Sequence, residues 1–312
     1  MGKLAFLFSG QGAQYVGMGK EMAAKYESSD DVFEQATRAL EFDIKKMIFE
    51  GDDETLKITE NTQPAILTTS IACARPLLEG GIKPDVVAGL SLGEYSAHVL
   101  SGTIGFMDAV GLVKKRGKYM QEAVPVGKGA MAAILGLDAK DVIECCKEAS
   151  QEGIVEPANF NCPGQVVIAG ELKAVEKAVE IAKLREARRA MLLPVSAPFH
   201  CSMLKSAGEK LAEELEKIDF NDMQIPVVAN VNAEYILDKT IVKKLLIRQV
   251  SNSVLFEASI KNMLKNGVDT FVEIGPGKVL SGFVRKISRE VRVLNVEDVD
   301  SLNKTLCELK SS

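Results

Sequence analysis

Gly89-x-Ser91-x-Gly93 is the segment of this sequence best suited to chemistry. It follows an apolar run that reads as a strand and precedes a helical pattern, the setting in which a serine is presented as a nucleophile. A sharp strand-to-helix turn strains the serine backbone and leaves room only for small neighbours, which accounts for the flanking glycines. The serine hydroxyl would stand clear of the sheet. The amide of Leu92, free at a helix N-terminus, would meet a developing oxyanion.

A nucleophilic serine needs a base, and the chain has 2 histidines. His98 lies on the helix after Ser91, about 10 Å further along its axis, beyond reach of the hydroxyl. It reads as a locally satisfied helix residue. His200 sits in the non-helical stretch Pro194-Val195-Ser196-Ala197-Pro198-Phe199-His200, at an inferred domain junction where clefts form, and is the base by elimination. Cys201 is its neighbour in sequence, but adjacent side chains diverge, so a thiol nucleophile is disfavoured.

Arg116 stands out on periodicity. In Asp108–Glu122 the apolar positions Ala109, Leu112, Val113 and Met120 share a face, and Arg116 falls on it, whereas Lys114, Lys115 and Lys118 do not. An inward arginine cannot shed its charge and must find an anion. Either a structural carboxylate or a carboxylate of the substrate fits that need.

Two glycine-rich loops fail as nucleotide sites. Gly10-Gln11-Gly12 is followed by Tyr15 where a dinucleotide fingerprint wants its third glycine. Gly275-Pro276-Gly277-Lys278 has Val272 and Val279 at the outer positions of a phosphate loop. A non-catalytic nucleotide-binding module is therefore disfavoured. The first loop instead suits close approach of backbone amides to a reacting carbonyl.

Around these residues the chain alternates strand-like and helical runs, the α/β signature. Strands are expected at Leu4–Phe8, Asp85–Ala88, Val227–Val231 and Thr270–Ile274. Helices are expected at Val16–Tyr26, Asp31–Leu40 (capped from Ser28, Ser29 or Asp30), from Pro64 to about Gly80, from Glu94, and over 108–122, 201–217, 254–265 and 279–287. Pro125, Gly127 and Gly129 interrupt this pattern. Ala130–Leu135, Ala139–Ala149, a weak strand at Ile154–Glu156, Gln165–Ala169, Ala174–Lys183 and Arg189–Leu193 then approximate a split β-α-β unit. The expected organisation is one α/β domain of residues 1–126 and 196–312, interrupted by a small one at 127–195.

The 312 residues carry 38 Lys+Arg against 43 Asp+Glu, and this acidic balance argues against broad nucleic-acid binding. With 5 Tyr, 12 Phe and no Trp, stacking platforms for single strands are few. No apolar run approaches the roughly 20 residues of a membrane span, and the start has no signal-peptide core. The 6 cysteines show no C-x-x-C pair or metal-ligand spacing, so they read as reduced packing residues, and a multi-histidine metal site is excluded by counting. A cytoplasmic protein without membrane partners is expected.

In register along nearly the whole chain, the sequence resembles the malonyl-CoA:acyl-carrier-protein transacylase family. The likeness rests on Phe8-Ser9-Gly10-Gln11-Gly12-Ala13-Gln14, Thr62-Gln63-Pro64-Ala65, Gly89-Leu90-Ser91-Leu92-Gly93-Glu94-Tyr95-Ser96-Ala97 and Arg116-Gly117. It continues through Gly129 to Ala133, Asn159 to Gly170, Phe199-His200-Cys201, Arg248-Gln249 and Glu273 to Leu280. The resemblance implies an α/β-hydrolase-like large domain with an inserted ferredoxin-like subdomain. It implies malonyl transfer from malonyl-CoA to the phosphopantetheine thiol of an acyl carrier protein, in fatty acid or polyketide synthesis, by a monomer needing no metal or other cofactor. Ser91 would be the acylated nucleophile, His200 its base, and Arg116 the grip on the malonyl carboxylate. The amides of Gln11 and Leu92 would form the oxyanion hole, and the Gln249 main-chain carbonyl would orient His200. Phe199 would be a wall excluding an α-methyl group, with Asn161 and Gln165 near the mouth. Leu90 departs from the histidine the family often has there, which bears on pocket polarity rather than on the base.

Acyl carrier proteins are acidic, so a local basic patch is expected. Candidates are Lys183, Arg185, Arg188 and Arg189, or Arg285, Lys286, Arg289 and Arg292. The rival reading is a serine esterase or thioesterase of α/β-hydrolase type. Asp108, Asp138 and Asp141 lie between Ser91 and His200 in the order that class requires.

Overall fold

Alternate residues of the first strand face opposite sides of a sheet that is buried on both. In the computed structural model, which describes residues 2–195 and 197–311, strand β1 is Lys3–Phe8. Ser196, expected in the linker and at the start of the returning segment, lies outside the described residues, as do Met1 and Ser312. Phe6 and Phe8 enter one core while Ala5 and Leu7 enter another, as a period of two requires when both faces are covered.

Among the described residues, β1 pairs in parallel with β2 (Val86–Gly89) on one side and β9 (Val268–Ile274) on the other. The sheet continues outward to β10 (Arg292–Val296) beyond β9 and to β7 (Val227–Val228) and β8 (Tyr235–Ile236) beyond β2. All neighbours are parallel except β7 with β8. Helices Thr59–Glu79, Gly93–Leu100 and Phe106–Glu122 pack with the Phe6 and Phe8 face, and Phe256–Lys265 and Val279–Ile287 with the other.

A second sheet comes wholly from residues between 129 and 192. Its strands are β3 (Gly129–Leu135), β4 (Val155–Cys162), β5 (Gln165–Glu171) and β6 (Arg189–Leu192). They run antiparallel in the order β4-β5-β3-β6. Helices Ala139–Ala149 and Leu172–Leu184 cover one face, where Ala132, Ile134 and Ile168 meet Val142 and Val175. The other face turns Met131, Val167 and Ala169 into the core of the larger sheet. The two sheets are therefore packed together, with the candidate site between them.

Several elements differ from expectation for local reasons. The first helix spans only Lys20–Lys25, because Gly17 and Gly19 take left-handed φ values of 92° and 75° that end any earlier helical turn. The next runs Glu27–Leu40, so Ser28, Ser29 and Asp30 lie inside it; Ser29 Oγ donates to Ala72 O at 2.8 Å rather than capping. The long helix begins at Thr59, before Pro64. Strand β4 extends well past Glu156. Its register shifts at Pro157/Asn159 and Phe160/Cys162 break the alternation by which a strand is read, and Pro157 is tolerated because β4 is an edge. The helix expected at 201–217 is Lys205–Leu215 behind a short turn at Ser202–Leu204. Helices Ile44–Glu50, Asp53–Lys57, Val242–Val250 and Val299–Lys310, and strands β8 and β10, had no counterpart in the sequence reading.

Two glycines in helices separate close packing from mere helix weakness. A Cβ on Gly93 would lie 2.1 Å from Phe8 O, whereas one on Gly111 would meet nothing within 4 Å. Gly93→Ala is expected to cost about 1–3 kcal/mol through overpacking, and Gly111→Ala to gain about 0.5–1 kcal/mol. Thermal unfolding of the two variants checks this: Tm falls for the first and rises for the second.

Candidate active site

The turn that carries Ser91 is a close crossing of backbones. A Cβ on Gly89 would come within 2.0 Å of Gly93 C, and one on Gly10 within 2.5 Å of Leu90 O. Ser91 itself takes φ 54°, a left-handed conformation that costs roughly 1–3 kcal/mol in a non-glycine residue unless its surroundings enforce it. They do. Asn230 Oδ1 accepts from Ser91 N at 2.6 Å, Asn230 Nδ2 donates to Gly89 O at 2.7 Å, and Gln249 Nε2 donates to Ser91 O at 3.0 Å.

Ser91 Oγ lies 2.6 Å from His200 Nε2, and His200 Nδ1 donates to the main-chain carbonyl of Gln249 at 2.8 Å. A carbonyl only accepts, so Nδ1 carries the proton and Nε2 is left to receive the serine's. Burial, reinforced by the Arg116 cation, pushes the His200 pKa down to about 3, so the imidazole is neutral at physiological pH. The fold brings together the two residues read as nucleophile and base, which stand 109 positions apart in the chain. Asp108, Asp138 and Asp141 are exposed, and the partner of His200 Nδ1 is a carbonyl, so the Ser–Asp–His order considered for an esterase has no acidic member here.

The other histidine and the neighbouring thiol are elsewhere. His98 is wholly buried on helix Gly93–Leu100, 3.9 Å from Glu94 Oε1. Both its ring nitrogens lack a hydrogen-bond partner among the described residues, so it is not the satisfied residue expected. Cys201 Sγ faces Pro198 O at 3.1 Å, and burial pushes its thiol up to about 12. It is inert as a nucleophile.

Arg116 reaches the centre from helix Phe106–Glu122 with 1% of its surface exposed. Its Nη1 donates to Gln63 Oε1 at 2.8 Å, and its Nη2 to Gln249 Oε1 at 2.9 Å and to Ser91 Oγ at 3.1 Å. Of the two partners left open for this arginine, a contacting structural carboxylate is not found among the described residues. Glu94, wholly buried one turn after the serine, accepts from Gln249 Nε2 at 2.5 Å and from Asn230 N at 3.1 Å. Burial raises its pKa to about 7.

A cavity of about 620 Å³ opens above these groups. Gln11, Leu90, Ser91, Phe199 and His200 line it from the larger sheet's loops, Arg116 from helix Phe106–Glu122, and Met131, Asn159, Asn161 and Val167 from the second sheet. The backbone amides of Gln11 and Leu92 have no acceptor among the described residues, although Leu92 is not part of the lining. Asn161 Oδ1 is buried without a hydrogen-bond partner among the described residues. Gln165 is not in the lining; its Oε1 accepts from Lys286 Nζ at 3.2 Å. Gln249 also stands behind the cavity wall, acting through the groups it holds. Among the described residues no cluster of metal-ligating side chains occurs, and no helix is long and apolar enough to cross a membrane.

Three residues of the network had no assigned part: Gln63, Glu94 and Asn230. The first two lie inside motifs already quoted. Asn230 carries a readable signal, since it interrupts the apolar run Val227–Val231 and a buried amide must be hydrogen-bonded.

A serine on a strained strand-to-helix turn, a neutral histidine on its hydroxyl and an adjoining cavity define a serine-dependent acyl-transfer protein. Residues 5–305 match the acyl transferase domain family. Over 311 residues the chain is 49% identical to the malonyl CoA-acyl carrier protein transacylase of Bacillus subtilis (strain 168), with 99% of this chain and 98% of the relative covered. It superimposes on the crystal structure of malonyl CoA-acyl carrier protein transacylase from Clostridium perfringens Atcc 13124 with a TM-score of 0.97 and 53% identity, covering 99% of this chain and 98% of that one. A type II PKS acyl-carrier protein in complex with its malonyl-transacylase matches with a TM-score of 0.96 and 42% identity, over 98% and 99% of the two chains. The chain belongs to the malonyl CoA-acyl carrier protein transacylase family.

A base whose pKa is lowered stays neutral as pH falls through 6.5 and is lost only near its folded value, about 3. Covalent labelling of Ser91 by a serine-directed phosphonate is therefore expected to proceed at pH 5.5 at much the same rate as at pH 8, read by intact mass. A rate that halves between pH 7 and 6 would mean a solvated imidazole instead. The same lowered values at His98 and His200 make the fold lose stability as pH drops below 6.5, so Tm is expected to fall over that window.

Proposed function

We propose that the protein transfers a malonyl group from malonyl-CoA to the phosphopantetheine thiol of an acyl carrier protein through a malonyl-serine intermediate. The observation that carries this reading is Arg116: a buried cation with neutral contacts, one of them the serine hydroxyl, 3.1 Å away. A thioester that ends in a carboxylate supplies an anion in direct contact, and Ser91 Oγ is the acceptor it displaces from Nη2. The names of the relatives, and the acyl-carrier protein bound in one of the similar structures, agree with it.

His200 Nε2 takes the Ser91 proton as Oγ bonds to the malonyl carbonyl carbon. The amides of Gln11 and Leu92 stabilise the oxyanion. Its collapse breaks the C–S bond, and CoA leaves as the thiol with the proton from His200. The carrier-protein thiol then gives its proton to His200 and attacks the malonyl-serine carbonyl; collapse breaks the C–O bond, and His200 returns the proton to Ser91 Oγ. No step calls for a metal or other cofactor. Gln249 keeps His200 in the productive tautomer through its carbonyl. Phe199 and Leu90 are both in the cavity lining, and in this reading the Phe199 ring is the wall that excludes an α-methyl. Asn161, in the cavity lining, would meet the acyl donor, with Gln165 outside the lining beside Lys286.

In this reading residues 1–126 and 196–312 form an α/β-hydrolase-like domain, and 127–195 a ferredoxin-like subdomain. The strand order β4-β5-β3-β6 with two helices on one face supports the second assignment. Of the two basic clusters, that with Arg285 and Lys286 is the better carrier-protein contact. It shares helix Val279–Ile287 with Val279 and Phe283 of the cavity lining, while Arg185 of the other pairs with Glu148.

Intact mass after exposure to malonyl-CoA is expected to show one malonyl adduct on Ser91, discharged by acyl carrier protein, and none on Ser91→Ala. Free malonate appearing faster than acylated carrier would favour a thioesterase. Arg116→Ala is expected to lower malonyl kcat/KM by at least about tenfold, since one charge-assisted hydrogen bond is worth about 1.5–3 kcal/mol. Acetyl transfer falls much less. Equal losses on both donors would remove Arg116 from substrate recognition.

A further inference from the structure

The charge on Arg116 is balanced at a distance. Its guanidinium touches the side-chain oxygens of Gln63, Gln249 and Ser91 and lies 5.2 Å from the centre of the Tyr95 ring, all neutral groups. Its Nε has no hydrogen-bond partner among the described residues. A buried cation without an anion nearby is costly. Glu94, ionised above its raised pKa of about 7, is that anion, yet the two do not touch. The side-chain amide of Gln249 stands between them, its Nε2 donating to Glu94 Oε2 at 2.5 Å and its Oε1 accepting from Arg116 Nη2 at 2.9 Å. The amide has one sensible orientation. Flipped, it would set NH2 against the guanidinium and oxygen against the carboxylate.

We propose that Glu94 is the counter-charge of Arg116, kept one amide away by Gln249, and that this spacing makes the site prefer an acyl donor carrying its own carboxylate. The inference rests on the reading above that Arg116 receives the malonyl carboxylate. Coulomb attraction weakens only gradually with distance in a buried site, so an anion beyond contact still offsets the charge. Donor groups, by contrast, are consumed by contact alone. A carboxylate in direct contact would hold the guanidinium in a closed pair. A carboxylate behind an amide leaves Nε unpaired among the described residues and leaves one Nη2 donor on a displaceable hydroxyl, the other staying on Gln249 Oε1. Glu94 is thus a positioning and specificity residue: it touches neither substrate nor Ser91 Oγ, and acts through Gln249.

The test is to move the carboxylate across the amide. The double exchange Glu94→Gln with Gln249→Glu conserves net charge and side-chain size and sets the anion directly on Arg116. Its main-chain carbonyl at 249 still serves His200. Malonyl and acetyl transfer from the CoA thioesters are measured on the parent and the variant. Any damage to Ser91 or His200 lowers both donors and cancels in the ratio of their kcat/KM values. The expected result is that the malonyl-over-acetyl ratio falls at least about tenfold, mainly through a higher malonyl KM. A smaller fall overturns the proposal. If the double variant does not fold, Glu94→Gln alone decides, because it keeps an acceptor for Gln249 Nε2 and Asn230 N and removes only the charge. Malonyl KM, measured at pH 8 where Glu94 is ionised, is then expected to fall at least about threefold with acetyl KM unmoved, because the distant anion no longer offsets the guanidinium. An unchanged or higher malonyl KM overturns the proposal. A parent enzyme that shows no preference for malonyl would instead defeat the reading of Arg116 itself. A parent that prefers malonyl beside a double variant that does so equally defeats only the spacing.

Discussion

Gln249 is the constraint on which the rest of the site depends. Its carbonyl receives the His200 Nδ1 proton, its Oε1 receives Arg116, and its Nε2 serves both Ser91 O and Glu94. Base, cation and serine turn are therefore set by one residue in the last turn of helix Val242–Val250. A buried amide of this kind has a single satisfied arrangement, and a partly satisfied network would be worse than none. The geometry of three separate functional groups follows from that one choice.

The network also holds backbone that would not stay in place alone. Ser91 and His200 take φ values of 54° and 61°, in a region non-glycine residues seldom occupy. Asn230 and Gln249 fix the first of these; the bonds from Ser202 N and Oγ to the Glu156 carboxylate, 2.7 and 2.8 Å, anchor the chain just beyond the second. Glu156 belongs to β4, so the second sheet contributes to positioning His200 as well as lining the cavity.

Much of this was legible in the amino-acid order, and the reasons are local. The serine motif is contiguous, and its glycines are required by contacts within the same turn. Arg116 betrays itself by falling on the apolar face of a regular helix. The roles of Gln11, Phe199, Asn161 and Gln249 came from family resemblance alone, since one polar side chain carries no periodic signal. What escaped was mostly long-range or irregular. Helix Val242–Val250 was not read at all, although Leu245, Leu246 and Gln249 share its buried face, and with it went the three-way role of the glutamine side chain. Strand β4 hid behind its bulges and Pro157. Glu94 was quoted as part of a motif, yet nothing in sequence says that its partners stand beyond position 229.

On the proposed reading, a dyad rather than a triad follows from the same electrostatics. A carboxylate on His200 Nδ1 would stabilise the imidazolium, which matters most when the leaving group is a poor one that must be protonated. A thiol of ordinary pKa near 8.5 departs with far less help, so a carbonyl partner is sufficient for thioester exchange. The carboxylate would carry a second penalty here. Gln249 holds His200 and Arg116 at once, so an anion placed on the imidazole would also lie beside the guanidinium and compete with a carboxylated acyl group for it. On that reading a neutral partner for the base and a cation without a contacting anion are two expressions of one requirement: the anion that touches Arg116 arrives with the substrate.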